Sequence, residues 1–377
     1  MARVSILAGL VCLATLATAS PLASRQSSTN STCTEVHQRK AWHNLSDDEK
    51  SAYIDAELCL INSPAKDNLP YSKTRWDELT YSHAIQTNWV HDVGSFLPWH
   101  RYYMWAHEKL LRDECNYTGY QPYWEESLDS GNISASVVFD PVTGFGGEGG
   151  DCVDDGPFAN LTLSLSSNGS QIWEEEYCLA RSFSDTIFNM GNTTYIEECL
   201  ASENYTTALD CYMTSPHVAG HGGVGGTVLS VAGSPAEPLF FLHHTNLDRL
   251  WWNWQQVDPD TRTYDIGNWS NIPPYSYLSQ QYLDYPSASL IDYSGDNGNI
   301  TTLQHVLWIA GLVPNVTIED VMDLSGETIC ADESVQCSCR RSSRNSQNVV
   351  SQVLRLRRTL LWQTIAPVAV QVDLDWP

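Results

Sequence analysis

Seven of the eleven histidines in this 377-residue chain fall into two short stretches. The first carries His83, His91 and His100, separated by seven and eight residues. The second carries His217 and His221 in SPHVAGHGGVGG, then His243 and His244 in EPLFFLHHTNLDRLWW. Imidazole is a ligand for copper, zinc, iron and nickel. A fold that brings these two stretches together therefore makes a metal centre. His217 and His221 are four apart, so a helix projects both from one face. This is not the HExxH arrangement, because Val218 follows the first histidine and no glutamate stands there as a base. His244 completes a second three-imidazole set, and His83, His91 and His100 make the first. No paired cysteines or carboxylates accompany them, which argues against a structural zinc or a calcium site. We read the six as ligands of a two-metal site, with no catalytic residue beyond them. His243 directly precedes a ligand and is expected to point elsewhere, lining the pocket. His107 shares the helix face of His100 and is read as a packing or supporting residue. His37, His43 and His305 stand alone and are read as surface or satisfied core residues.

The net charge of −25 argues against a nucleic-acid or anionic-membrane partner. The N-terminus has Arg3, an apolar or small-residue run from Val4 to Leu16, and Ala17-Thr18-Ala19 as a cleavage site. Residues 1–19 are thus expected to be a signal peptide, too short an apolar run for a stable membrane anchor. Ten cysteines lie beyond it: Cys33, Cys59, Cys115, Cys152, Cys178, Cys199, Cys211, Cys330, Cys337 and Cys339. An even number in a secreted chain suggests disulfides, with a connectivity the sequence leaves open. Asn-x-Ser/Thr sites occur at Asn30, Asn44, Asn116, Asn132, Asn160, Asn168, Asn192, Asn204, Asn268, Asn299 and Asn315. Together these features point to a glycosylated protein of the secretory pathway.

Along the chain, residues 20–32 read as a disordered Ser/Thr-rich segment. Residues 34–62 read as helix, with Ser46-Asp-Asp-Glu49 as a capping box. Residues 63–80 read as loop, and Trp99 to Arg112 has helical spacing with His100 near its start. Residues 129–170, rich in Gly, Ser and Asn, read as a long surface loop. Helical patterns resume from about Gln171 to Leu209, Gly220 to Gly226 reads as a flexible turn, and Leu239 to Trp254 as a second ligand-bearing helix. Residues 255–330 are loop-rich. Residues 340–377 form a basic tail with six arginines against two aspartates.

The motif His83-x7-His91-x8-His100, with Phe96-Leu-Pro-Trp-His100-Arg-Tyr-Tyr and Tyr123-Trp124, resembles the first copper region of tyrosinases and catechol oxidases, the type 3 copper, hemocyanin-like family. His217-x3-His221 and Glu237-Pro-Leu-Phe-Phe-Leu-His-His244-x3-Asp248-Arg249 resemble its second copper region. The likeness spans residues 81–254 and is nearest to short fungal secreted members. It implies a mainly α fold over residues 20–339, a four-helix bundle with long loops and few short strands, holding two copper ions on three histidines each. It implies oxidation of o-diphenols or o-aminophenols to quinones with O2, a small aromatic substrate, and a place in fungal secondary metabolism. Val231, thirteen residues before His244, falls where the family places a gate residue, and Asp248 and Arg249 where it buttresses the site.

Three departures bear on activity. Monophenol hydroxylases often carry Asn after the first histidine of the second region and a glutamate nearby. Here Val218 follows it and only Asp210 is acidic just upstream, so monophenol hydroxylation is expected to be weak or absent. No cysteine lies between His83 and His91 to form a thioether. Glu125-Glu126 replaces an acidic–aromatic pair, and Glu237 replaces Asp before Pro238. The resemblance also covers cyclopenase-like members, whose zinc opens and contracts a benzodiazepinedione to a quinolone, and dioxygen carriers. Zinc is thus the alternative metal and a lyase the alternative activity.

Overall fold

The computed structural model describes residue 33 and residues 36–168, 171–271 and 299–334. The expected signal peptide, residues 20–32, Asn30, Cys337, Cys339 and the expected basic tail lie outside the described residues. In chain order the elements are β1 (His37–Gln38), α1 (Asp47–Asn62), α2 (Arg75–Ala84), α3 (Thr87–Val90), α4 (Phe96–Cys115), β2 (Thr162–Ser167), β3 (Ile172–Cys178), α5 (Asp185–Phe188), α6 (Thr193–Leu200), α7 (Tyr205–Tyr212), α8 (Val218–Val224), α9 (Leu239–Val257), α10 (Pro259–Arg262), β4 (Val306–Leu307), β5 (Val316–Thr317), α11 (Glu319–Met322) and β6 (Ala331–Asp332). The expectation of a mainly α chain with few short strands is met. Among the described residues the strands form three two-stranded pairs: parallel β1–β6 and antiparallel β2–β3 and β4–β5.

Local chemistry sets the main helices. The Ser46–Glu49 capping box opens α1 as expected. Residues 36–41 are not helical, however, because their backbone groups pair elsewhere, and only a single 3-10 turn, Trp42–Asn44, precedes the cap. His37 and Gln38 join β6, and Trp42 N–H donates to the Tyr123 carbonyl. The expected loop over 63–80 gives way to α2 at Arg75, whose start is a second capping box from Thr74 and Asp77. Helix α4 is longer than its spacing suggested. Pro98 sits in its first turn, where a missing N–H leaves no bond unmade, and Asn116 closes it in the left-handed region.

Two further expectations are corrected. Residues 129–170 are not simply surface, since Phe139, Phe145, Val153 and Phe158 are core residues and β2 lies within the stretch. The helical pattern expected from Gln171 begins instead with β3, which pairs with β2 and is tied back by Cys152–Cys178. The other disulfides among the described residues are Cys33–Cys330, Cys59–Cys115 and Cys199–Cys211.

Helices α2, α4, the α7–α8 run and α9 surround the histidines. Tyr103 of α4 donates to the Leu79 carbonyl of α2 at 2.7 Å, and Tyr212 of α7 to the Leu250 carbonyl of α9 at 3.0 Å. A buried ion cluster clamps α4 to α9. Asp248 accepts from Arg101 Nε at 2.5 Å and Arg39 Nη1 at 2.9 Å, and Arg39 Nη1 also donates to Glu333 at 2.8 Å. Arg101 further donates to the Val321 and Met322 carbonyls and stacks on Trp251. Arg249 lies over Tyr123 and 3.4 Å from Glu125.

Because Asp248 serves two buried guanidiniums, Asp248→Asn is expected to cost about 3–5 kcal/mol. Lys109→Ala, at an exposed pair with Asp113 one turn away, is expected to cost less than about 0.5 kcal/mol. Chemical denaturation of the two variants checks the contrast, and equal costs would contradict the clamp.

Candidate metal centre

The first histidine group is built from three elements. His83 closes α2, His91 follows α3, and His100 lies in the second turn of α4. Each donates or presents Nδ1 to a backbone carbonyl: His83 to Ala232 at 3.0 Å, His91 to Thr87 at 2.7 Å and His100 to Phe96 at 2.8 Å. A carbonyl only accepts, so the proton sits on Nδ1 and the lone pair on Nε2. The Nε2 atoms of His83 and His100 are buried and have no protein partner. Buried polar atoms without partners are rare, and three imidazoles aimed together make the arrangement of a metal-binding set.

The second group straddles an irregular helix. His217 ends a π-helical turn, Met213–His217, that carries Pro216, and His221 follows in α8. Single π turns recur at functional sites. The expected flexible turn from Gly220 to Gly226 is helical through Val224, because the absent side chains let neighbours approach: a Cβ on Gly223 would lie 2.6 Å from Phe188. His221 Nδ1 bonds the Val228 carbonyl at 2.7 Å, and its Nε2 lies 3.1 Å from that of His244. Two imidazoles bound to one ion at about 2.0 Å approach each other comparably. The candidate ligand atoms of His83, His91 and His100 lie within 4.8 Å of one another, as do those of His217, His221, His243 and His244.

The two groups adjoin. The rings of His100 and His244 stack at 4.4 Å between centroids, and His91 and His217 are 6.3 Å apart. Phe96 and Phe240 pack against members of both groups. Burial, with the charge that neighbouring imidazoles would carry, drives His83, His100, His217 and His244 well below the ordinary imidazole range, and His221 likewise. His91 is lowered for the same first reason. Neutral imidazoles are the form that binds a metal. The residues present therefore fit two ions, and nitrogen-only donor sets suit copper or zinc.

The remaining expected residues fall as follows. His243 is buried, with Nδ1 2.5 Å from Glu126, and shares the second group. Val231 is 53% exposed, and its carbonyl accepts from Thr87 Oγ1. Val218 is partly exposed, next to His217. Asp210 is exposed, and Glu237 is taken by the buried Arg181. His107 stacks on Phe241 at 3.7 Å and bonds Gln121. Glu126 and Gly220 escaped the sequence reading; the only hint was the acidic pair after Tyr123-Trp124.

The profile of the common central domain of tyrosinase matches residues 73–257. A tyrosinase-like protein, phomQ1, of Diaporthe leptostromiformis is 31% identical over 324 residues, covering 79% of this chain and 77% of that one. Tyrosinase ustQ of Aspergillus flavus is 31% identical over 317 residues, covering 79% of each chain. Among solved structures, a mutant polyphenol oxidase from Thermothelomyces thermophila is similar at a TM-score of 0.67 and 25% identity, covering 80% of this chain and 89% of that one.

The depressed imidazoles give the metal-free protein a pH dependence. As pH falls through about 6.5 the unfolded chain takes up protons on these histidines and the folded chain does not. Stability therefore declines with falling pH, by up to about 1.4 kcal/mol per pH unit for each such imidazole. The melting temperature of the metal-free protein is expected to drop below about pH 6.5, and to drop less steeply in His100→Ala. An identical slope in the variant would contradict burial of a neutral His100.

Proposed function

Because the chain belongs to the tyrosinase family, we propose that it is a dicopper oxidase converting o-diphenols or o-aminophenols to quinones with O2 in fungal secondary metabolism, with weak or no monophenol hydroxylation. The observation that carries this reading is the pair of adjoining imidazole groups, four of whose rings are held through Nδ1 by backbone carbonyls, with all six candidate ligands pushed toward the neutral form by burial. His83, His91 and His100 would hold one copper, and His217, His221 and His244 the other. Copper bound there supplies the reversible one-electron steps that couple substrate oxidation to O2 reduction. The protein's part is to fix the imidazoles, exclude water and admit the substrate.

Exposure suggests where the substrate enters. His83, His91 and His100 are buried, whereas His217 and His221 are partly exposed. Val218 follows His217, Leu229 follows the Val228 whose carbonyl holds His221, and Ile187 lies against Gly222; all are apolar, and Leu229, Ile187 and Val231, close to Leu229 in sequence, are exposed. Apolar side chains at an entrance favour an aromatic ring over a charged substrate. Val231 would act as the gate. A substrate that brings two vicinal hydroxyls needs little help losing protons at a metal, but a monophenol does. Val218 offers no hydrogen bond, and the exposed Asp210 carboxylate belongs to solvent. That absence of a base is what supports diphenol rather than monophenol oxidation.

Location in the secretory pathway is part of the same proposal. It rests on four disulfides and on the exposure of nine sequon asparagines; Asn192 alone of the described ten is half-buried. Among the described residues no helix is long and apolar enough to cross a membrane.

The purified chain is expected to carry two coppers and to consume O2 with catechol but not with tyrosine. Zinc in place of copper, with no O2 uptake on any o-diphenol, would overturn the oxidase reading. Val218→Asn is expected to raise monophenol hydroxylation by offering a polar group beside His217. An unchanged ratio of monophenol to diphenol rates would contradict the role given to position 218.

A further inference from the structure

Between α8 and α9 the chain makes a short detour whose backbone serves both histidine groups. His221, of the second group, bonds through Nδ1 to the Val228 carbonyl at 2.7 Å. The Ala232 carbonyl, a little further along the same segment, takes Nδ1 of His83, in the first group, at 3.0 Å. A carbonyl only accepts, so each bond puts the proton on Nδ1 and leaves the lone pair on Nε2. An acceptor of this kind sets the angle of a ligand ring and is commonly worth about 10–100-fold in metal affinity. One stretch of backbone, Val228–Ala232, thus aims a ring in each group.

The segment is pinned at its ends and bare in its middle. Just before it, the Thr227 N–H donates to the Ala180 carbonyl at 2.8 Å, and Thr227 Oγ1 accepts the Ala180 N–H at 3.0 Å. At its far end Ala232 is buried with Ala84 of α2, Leu165 of β2 and Ile172 of β3. Between them Leu229 and Val231 are exposed. A stretch with so few buried contacts is easily displaced unless something latches it. Thr87, at the start of α3, does so from outside the segment. Its hydroxyl donates to the Val231 carbonyl at 3.3 Å, and the residue is buried. Ser234 Oγ reaches the same carbonyl at 3.3 Å, but from the segment's own turn. The Thr87 carbonyl also accepts from His91 Nδ1 at 2.7 Å, with Thr87 Oγ1 3.5 Å from that nitrogen. One residue therefore ties a third ring to the same backbone.

We propose that Val228–Ala232 is a brace shared by both metal sites, and that Thr87 is the positioning residue that latches it. The inference rests on the two-metal reading above. A shift of the brace turns His83 and His221 together, so loosening it weakens an ion in either group. An ion in one group in turn holds the brace still for the other, because a segment already ordered by one ligand costs the next less to order. The bonds of Thr87 run to His91 and Val231 and not to a histidine of the second group. An effect of Thr87 on the second group has to travel through the brace.

Zinc titration of the metal-free full chain against a chromophoric chelator tests this without recourse to activity. The wild type is expected to take two equivalents. His100→Ala leaves the second group to bind, and His244→Ala leaves the first. Thr87→Val, which keeps the shape and removes the hydroxyl, is expected to weaken zinc about fivefold or more in both backgrounds, the low end of usual coupling between sites. Thr87→Ser keeps the hydroxyl and is expected to restore the parent affinity in both. A smaller loss in the His100→Ala background, or a Thr87→Ser variant as weak as Thr87→Val, would overturn the brace while leaving the two metal sites standing. Should Thr87→Val fail to fold, amide hydrogen exchange decides. Zinc added to either single-group variant is expected to slow exchange at Ser230 and Gly233, whose N–H groups bond within the segment's own turns. Slowing in one background alone, or in neither, would overturn the proposal. A wild type that takes fewer than two equivalents would overturn the two-metal reading itself, and this proposal with it.

Discussion

The whole structure depends on holding uncharged imidazoles in a dry interior with one nitrogen facing in. Burying a histidine is tolerable when it stays neutral and its N–H is bonded. For His83, His91, His100 and His221 the chain meets that condition by giving Nδ1 an acceptor: the carbonyls of Ala232, Thr87, Phe96 and Val228. Two of these acceptors are one helical turn before their own histidine, so α3 and α4 tether His91 and His100 without outside help. Val228 lies seven residues after His221, while Ala232 lies 149 residues from His83, which ties correct tertiary assembly to a correctly aimed site.

That assembly is secured at a distance from the histidines. The Arg39–Asp248–Arg101–Glu333 cluster joins the start of the described chain, α4, α9 and the last described strand. Two guanidiniums and two carboxylates satisfy one another out of water, so the loss of a single partner strands a charge. Asp248 stands one turn after His244 and Arg101 directly after His100, so the clamp fixes the two helices whose histidines stack across the centre. Cys33–Cys330 closes the same end of the molecule beside β1 and β6. The family likeness of Asp248 is thereby given a physical meaning.

The two histidine groups, the helices α4 and α9 that carry His100 and His244, and the Ser46 cap are legible in the sequence because each is a local pattern. What escaped is non-local or double-valued. Glu126 and His243 are 117 residues apart, and nothing near either announces the other. Gly220 reads as a turn former, yet here it is a point of close approach inside a helix. The Glu-rich strand Ile172–Cys178 looks helical until its register with β2 is known. Arg75 opens a helix through an aspartate capping box in a stretch whose prolines suggest only loop. The π turn before His217 has no evident signature beyond Pro216.

Two metal ions would sit side by side, one in each histidine group. Anomalous diffraction at the copper edge from copper-loaded crystals of the full chain tests it most directly. The expected result is two peaks, one among His83, His91 and His100 and one among His217, His221, His243 and His244. A single peak, or copper bound away from these imidazoles, would contradict the account.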